Sequence, residues 1–181
     1  MPLTLSHAVL HVHDLPTMLD YYTRVLGFAI TDRGPIGPPG SPEIVFMSQD
    51  PGEHHQLAFV AVPKGEGPAR DLNHLAFRIG GIDDLRAIDA RIRADGRGRM
   101  PRPISHGNTW SIYFGDPEGN GVEVFCDTPW HVKQPAGKAW DMKQDDTELF
   151  EHTRAAFEKE PGFGSGESYV GARRRVADHA D

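Results

Sequence analysis

The chain repeats itself. Ser6-His7-Ala8-Val9-Leu10 resembles Asn73-His74-Leu75-Ala76-Phe77 at an offset of 67 residues. At the same offset Gln56-Leu57 falls on Glu123-Val124, and Phe46 falls on Tyr113. Three separated matches at one offset, without a gap, indicate two copies of one unit. A unit of about 60 residues buries too little apolar surface to stand by itself, so the copies are expected to pair.

Each copy reads as βαβββ. In the first, Leu5 to Val12 is a short β-branched, apolar run, hence a strand. Asp14 can cap a helix, with Pro16 in the first turn where its missing N–H is harmless. Leu15, Met18, Leu19, Tyr22, Val25 and Leu26 recur at helical spacing up to Gly27. Phe28 to Asp32 is a strand, Arg33 to Pro42 a Gly/Pro-rich loop, and Glu43 to Ser48 and His55 to Val62 are strands around a turn at Asp50-Pro51-Gly52. The second copy starts at Asn73. Its helix carries Ile82, Leu85, Ile88 and Ile92 and stops near Gly96; Ser111 to Phe114 and Gly121 to Cys126 are its last strands, around Asp116-Pro117-Glu118-Gly119. Lys64 to Leu72 links the copies. The expected organisation is residues 1–63, 71–130 and a C-terminal extension, 131–181, together one α+β domain.

The tail follows no repeat. Thr147 to Lys159 reads as an acidic helix with Leu149, Phe150, Thr153 and Phe157 on one side, and Trp130, Trp140 and Phe163 need cover. That cover is either the chain's own outer surface or a second copy. The last residues, with Arg173-Arg174-Arg175, are expected to be mobile.

Composition excludes some functions. A net charge of −7 argues against a general nucleic-acid binder, though not against a small anionic substrate. No apolar run has the length of a membrane span, and Met1 to His7 lacks the plan of a signal peptide. One cysteine, Cys126, rules out an internal disulfide, and it reads as core packing. Cytoplasmic residence is the expectation.

Ten histidines make position informative. A lone strand histidine is most often a surface residue or a satisfied polar group. Here His7 and His74 occupy matching points of matching strands, and Gln56 and Glu123 match in the last strands. Two imidazoles and a carboxylate on one face of a metal leave other positions open, the pattern of non-haem Fe(II) sites that take substrate and dioxygen together. Zinc more often takes a fourth protein ligand or a single water.

The paired βαβββ plan resembles the vicinal oxygen chelate superfamily over about residues 3 to 130. Within it, Ile104-Ser105-His106, Ile112-Tyr113, Asp116-Pro117-Glu118-Gly119 and Glu123 follow one another as in type I extradiol dioxygenases. His55-Gln56-Leu57-Ala58-Phe59 is similar to the first-module strand of that branch, and Asp127-Thr128-Pro129-Trp130 to its small two-module members. The resemblance implies two paired modules forming one curved mixed sheet around a metal site. It implies Fe(II), or Mn(II) in some members, held by His7, His74 and Glu123. The reaction implied is opening of a catechol ring by O2, giving a muconic semialdehyde-type product in the breakdown of aromatic compounds. His55 would be the acid–base residue. Tyr113 would hydrogen-bond a catechol oxygen, and His106 would bond the other oxygen or position the ring. A small aromatic diol and O2 are the implied partners, with homo-oligomerisation expected.

Strand alternation sets His55 on the face opposite Gln56. His55 therefore reaches in by a twist or bulge, or His54 takes its role; the motif favours His55. His11 and His13 are expected at solvent or at the end of the first strand, and His131, His152 and His179 at the surface. Arg97, Arg99 and Arg102 read as a solvated patch on a loop, and Gly34 to Gly40 lacks phosphate-loop spacing. Two other readings stay open: a glyoxalase-like or thiol-transferring metal enzyme on the same scaffold, and a metal-free drug-binding module.

Overall fold

In the computed structural model Asp14 ends the first strand and starts the first helix, as its place before Leu15-Pro16 predicts. Its carboxylate accepts the Thr17 N–H at 3.1 Å and the Thr17 hydroxyl at 2.8 Å. The structure describes residues 6–36, 40–64, 72, 74–133 and 136–166. Leu5, Asn73, most of the Lys64–Leu72 link and Arg173-Arg174-Arg175 lie outside the described residues. The chain groups into two units: Met1–Asn73 with Asp95–Arg99 and Gly115–Asn120, and His74–Ala94 with Met100–Phe114 and Gly121–Asp181.

In the first unit β1 (Ala8–Val12) leads to α1 (Leu15–Asp20), which passes into a π-helical segment, Tyr21–Val25. The Leu26 N–H reaches back five residues to the Tyr21 carbonyl at 3.2 Å. The predicted helix through Leu26 is corrected here: the widened turn allows the adjacent Tyr21 and Tyr22 both to be fully buried. The Tyr22 ring meets Phe59 edge-on at 4.8 Å, and its hydroxyl donates to Asp116 at 3.3 Å. Gly27, at φ +84°, ends the helical run.

Strands β2 (Ala29–Pro35), β3 (Glu43–Ser48) and β4 (Leu57–Ala61) complete a sheet in the order β1-β4-β3-β2, with β1 parallel to β4. The expected loop at Arg33 begins later, because Arg33, Gly34 and Pro35 pair with Val45, Ile44 and Glu43 beyond a bulge between Ile30 and Asp32. The Ile36 N–H donates inward to the Pro42 carbonyl at 3.0 Å, so by alternation the backbone N atoms of positions 33 and 35 face outward. The Arg33 N–H is taken by the Asp32 carboxylate at 2.8 Å, and Pro35 has none to offer.

The second unit repeats the plan. Strands β5 (Leu75–Arg78), β6 (Arg99–Ser105), β7 (Thr109–Gly115) and β8 (Gly121–Asp127) surround α2 (Ile82–Asp95) in the sequence, with β5 parallel to β8. The sheet order is β10-β6-β7-β8-β5, where β10 (Lys138–Ala139) comes from the tail. β6 corrects the expected Arg/Pro-rich loop. Among the described residues it has a strand neighbour on its outer side at Ile104 and Ser105 alone, so Pro101 and Pro103 interrupt no ladder there. Helix α2 buries Leu85, Ile88 and Ile92 and is tied to β6 by Arg93, which donates to the Pro101 carbonyl at 3.0 Å.

The tail covers this same sheet. Short strands β9 (Trp130–His131) and β11 (Gly164–Ser165) pair with each other. Helix α3 (Asp146–Phe157) opens on a capping box between Asp145 and Glu148 and buries Leu149, Thr153 and Phe157. The Trp110 indole donates to Thr153 at 2.8 Å, and the Trp140 indole to the Ser111 carbonyl at 3.3 Å. Of the two covers expected for the tail, its own chain supplies this one. Phe150 departs from the expected buried side; it is 42% exposed and packs on Trp130 at 4.3 Å.

The fold is α+β with mixed sheets and two βαβββ modules, as expected. Among the described residues its strands hydrogen-bond as a four-stranded, a five-stranded and a two-stranded sheet, where the resemblance implied one continuous sheet. Among the described residues no helix is long and apolar enough to cross a membrane.

Candidate functional site

In the first unit two histidines, His54 and His55, stand beside the Phe46 ring, and a third, His7, stands against His55. His7, just before β1, and His55, just before β4, have ring centroids 4.3 Å apart. Phe46 of β3 lies 4.8 Å from the His55 ring, and the Nδ1 atoms of His54 and His55 are 2.9 Å apart. His54 also stands 3.8 Å from the Asp32 carboxylate. Burial, then the neighbouring His7 and His54, pull the His55 imidazole below its ordinary value.

Strand β4 begins at Leu57, so His55 and Gln56 both precede it and strand alternation does not set the facing of His55. The match of Gln56 with Glu123 is corrected as well. Val9 pairs with Ala58, whereas its repeat partner Ala76 pairs with Glu123. Ala58 therefore holds the place of Glu123 in the pairing register. A slide of two residues keeps every side chain on its face, so selection for facing alone permits it. The Gln56 side-chain oxygen accepts the Gln49 N–H at 3.0 Å and closes the β3–β4 turn.

In the second unit, His74 precedes β5 and Glu123 lies on the parallel neighbour β8. Ala76 of β5 is paired with Glu123, so alternation turns His74 and Glu123 to one face. His74 Nε2 stands 3.2 Å from Glu123 Oε2, and Glu123 is buried at 8% exposure. A divalent ion bonded at about 2.1 Å to nitrogen and oxygen holds adjacent donors about 3 Å apart. The pair has that spacing. Among the described residues no three His, Cys, Asp or Glu side chains form a metal-holding group; the other expected donor, His7, belongs to the first unit.

From Glu123 a chain of polar groups runs outward. Tyr113 lies on β7, and burial, followed by the influence of the Glu123 carboxylate, pushes its phenol well above the usual range. The Tyr113 hydroxyl is 2.8 Å from His106 Nε2, and His106 Nδ1 is 2.5 Å from the Ala136 carbonyl. The Tyr113 ring also stands edge-on to His74 at 5.5 Å. Ala136 was not foreseen, because a backbone carbonyl carries no side-chain signal. Phe46 was visible only as the repeat partner of Tyr113.

The Asp116-Pro117-Glu118-Gly119 motif has a physical role away from these donors. The Asp116 carboxylate accepts the backbone N–H groups of Glu118 at 3.0 Å and Asn120 at 2.9 Å. Burial raises its carboxyl despite those bonds. Glu118 then receives the backbone N–H groups of His13 at 2.7 Å and Asp14 at 2.6 Å, fixing the start of α1. Arg97, expected in a solvated patch, instead bridges Asp95 and Asp20 at 2.8 and 2.6 Å. Cys126 is buried as core, which pushes its thiol up to about 11.

Residues 4–124 match the model of the Glyoxalase/Bleomycin resistance protein/Dioxygenase superfamily. The chain is 36% identical over 129 residues to biphenyl-2,3-diol 1,2-dioxygenase 3 of Rhodococcus globerulus, covering 68% of this chain and 63% of that protein. It is 30% identical over 159 residues to metapyrocatechase of Pseudomonas sp. (strain CF600), covering 85% and 49%. The chain thus spans less than two thirds of the length of either relative. A solved glyoxylase/bleomycin resistance protein/dioxygenase domain from Frankia sp. EAN1pec has the same fold, with a TM-score of 0.59 at 20% identity over 71% of this chain and 94% of that one.

Proposed function

The chain belongs to the Glyoxalase/Bleomycin resistance protein/Dioxygenase superfamily, and from that premise we propose that it is a dioxygenase opening a catechol-type ring beside its two hydroxyls. The observation that carries this is the His74–Glu123 pair at 3.2 Å with Tyr113 and His106 strung out from it. The relatives, a biphenyl-diol dioxygenase and a metapyrocatechase, point to the same substrate class.

His7, His74 and Glu123 would hold Fe(II), with Mn(II) the alternative. Such an ion, when bound, gives the diol and O2 adjoining positions and a path for electrons between them. The remaining work falls to side chains. Tyr113, kept protonated by burial, hydrogen-bonds one diol oxygen: with its own proton on His106, its phenol oxygen accepts from that diol hydroxyl. His106 holds or receives the Tyr113 proton at Nε2 and positions the ring. His55, beside His7, is the imidazole that takes a proton from the substrate and returns it during ring opening. Phe46 backs His55 with an apolar face. Gln56 is committed to the Gln49 N–H, which counts against a fourth side-chain donor of the glyoxalase kind.

The test is anaerobic loading with Fe(II), then catechol or 2,3-dihydroxybiphenyl in air, following oxygen uptake and a yellow product. Activity in the parent, lost in folded His74→Ala and Glu123→Ala, is expected. A chain that holds Fe(II) yet consumes no oxygen across a wide panel of diols would remove the dioxygenase reading.

A further inference from the structure

His106 opens the loop from β6 to β7, Tyr113 lies on β7, and groups of the C-terminal extension grip that loop. The Ala136 carbonyl can only accept a hydrogen bond, so His106 Nδ1, at 2.5 Å, carries the proton. In the neutral ring this leaves Nε2 as the acceptor, 2.8 Å from the Tyr113 hydroxyl, and the phenol donates to it. The other tautomer would donate to the phenol oxygen instead, occupying that oxygen and turning the single Tyr113 proton away from His106.

Lys138 follows Ala136 by two residues and is itself tied down at both its backbone and its side chain. In β10, Lys138 pairs with Ser105 and Ala139 with Ile104, directly before His106. The Lys138 ammonium donates to the Ala156 carbonyl at the end of α3 and to the Glu160 carboxylate, the latter at 2.6 Å. It also lies 4.8 Å from the centre of the Phe157 ring. A cation with a carboxylate, a helix carbonyl and an aromatic face is held more firmly than an exposed surface pair.

We propose that the Lys138–Glu160 strap is a positioning device: by seating the Ala136 carbonyl on His106 Nδ1 it fixes the His106 tautomer and directs the Tyr113 proton onto His106. Its catalytic consequence rests on the dioxygenase reading; the tautomer itself does not.

The test uses the full chain labelled with 15N, without added metal, at about pH 8.5 where free imidazoles are neutral. Two-bond proton–nitrogen spectra distinguish a protonated ring nitrogen from a bare one, and a His106→Gln spectrum identifies the His106 signals. The parent is expected to show protonated Nδ1 and bare Nε2. Lys138→Met and Glu160→Gln should mix the two tautomers, while Lys138→Arg should keep the parent pattern. With Fe(II) and a diol, Lys138→Met should lower kcat about ten-fold or more, with KM changed less than about two-fold. Glu160→Gln serves if Lys138→Met does not fold. Protonated Nε2 in the parent would overturn the proposal, as would unaltered His106 signals in the folded variants. If no diol is cleaved by any form, the dioxygenase reading fails, and the ring signals still decide the strap.

Discussion

Gly107 offers the sharpest test of how the loop beside His106 is built. Its φ is +79°, and a Cβ there would come 2.3 Å from Val132 Cγ2, 3.0 Å from Val132 Cβ and 3.1 Å from Phe157 Cδ1. Left-handed backbone costs a non-glycine residue about 1–2 kcal/mol. Forcing a methyl into a packed interior costs about 1–3 kcal/mol more. Gly107→Ala should therefore lose about 2–5 kcal/mol, a fall in Tm of about 4–20 °C for a chain of this size. The two contributions separate in a double-mutant cycle followed by thermal and urea unfolding. Val132→Ala alone should cost about 1–3 kcal/mol for its buried methyls. In the double variant the nearest clash is gone and the backbone strain stays, so the combined loss should fall short of the sum by about 1–3 kcal/mol. A Tm change below about 2 °C for Gly107→Ala, or strict additivity in the cycle, would refute this account.

Two further outcomes follow from buried polar groups. Asp95, with its side chain 3% exposed, is held well below the usual carboxylate range chiefly by the Arg97 guanidinium, with Arg24 adding to it. Its folded value lies below its unfolded one, so its stabilisation is whole above about pH 4 and drains as the pH falls further. Asp95→Asn should be less stable than the parent at pH 7, with the gap narrowing by pH 3 in urea titrations; a constant gap would exclude the ion pairs as the source. Thr153→Val should cost about 1–3 kcal/mol by stranding the buried Trp110 N–H, and an unchanged urea midpoint would show that another group takes over that bond.

The two modules were legible because their signal is carried by side chains at a fixed spacing: His7 with His74, and the apolar stripes of α1 and α2. The strand β6 was hidden because Arg99, Pro101, Arg102 and Pro103 read as a loop, and only its partly open outer side makes them compatible with a sheet. The gapless repeat misplaced the counterpart of Glu123, since a two-residue slide changes no facing and leaves no trace in polarity. Arg97 looked solvated because Asp20, one of its partners, lies far away in sequence. The π-helical turn at Tyr21 is a backbone adjustment to two adjacent buried tyrosines, which helical periodicity alone reads as one inward and one outward residue.

The outer border of β2 bears on how copies of this chain behave when crowded. A stray strand adding there would need a row of outward backbone donors. It meets a bulge after Ile30, an Arg33 N–H already taken by Asp32, and Pro35 with no N–H at all. Strand β2 is exposed along most of its length and carries an apolar side chain at Ile30, yet its backbone gives an incoming strand little to hold. Runaway sheet growth, the usual hazard of a sheet border, is thereby discouraged at this edge by the shortage of outward backbone donors.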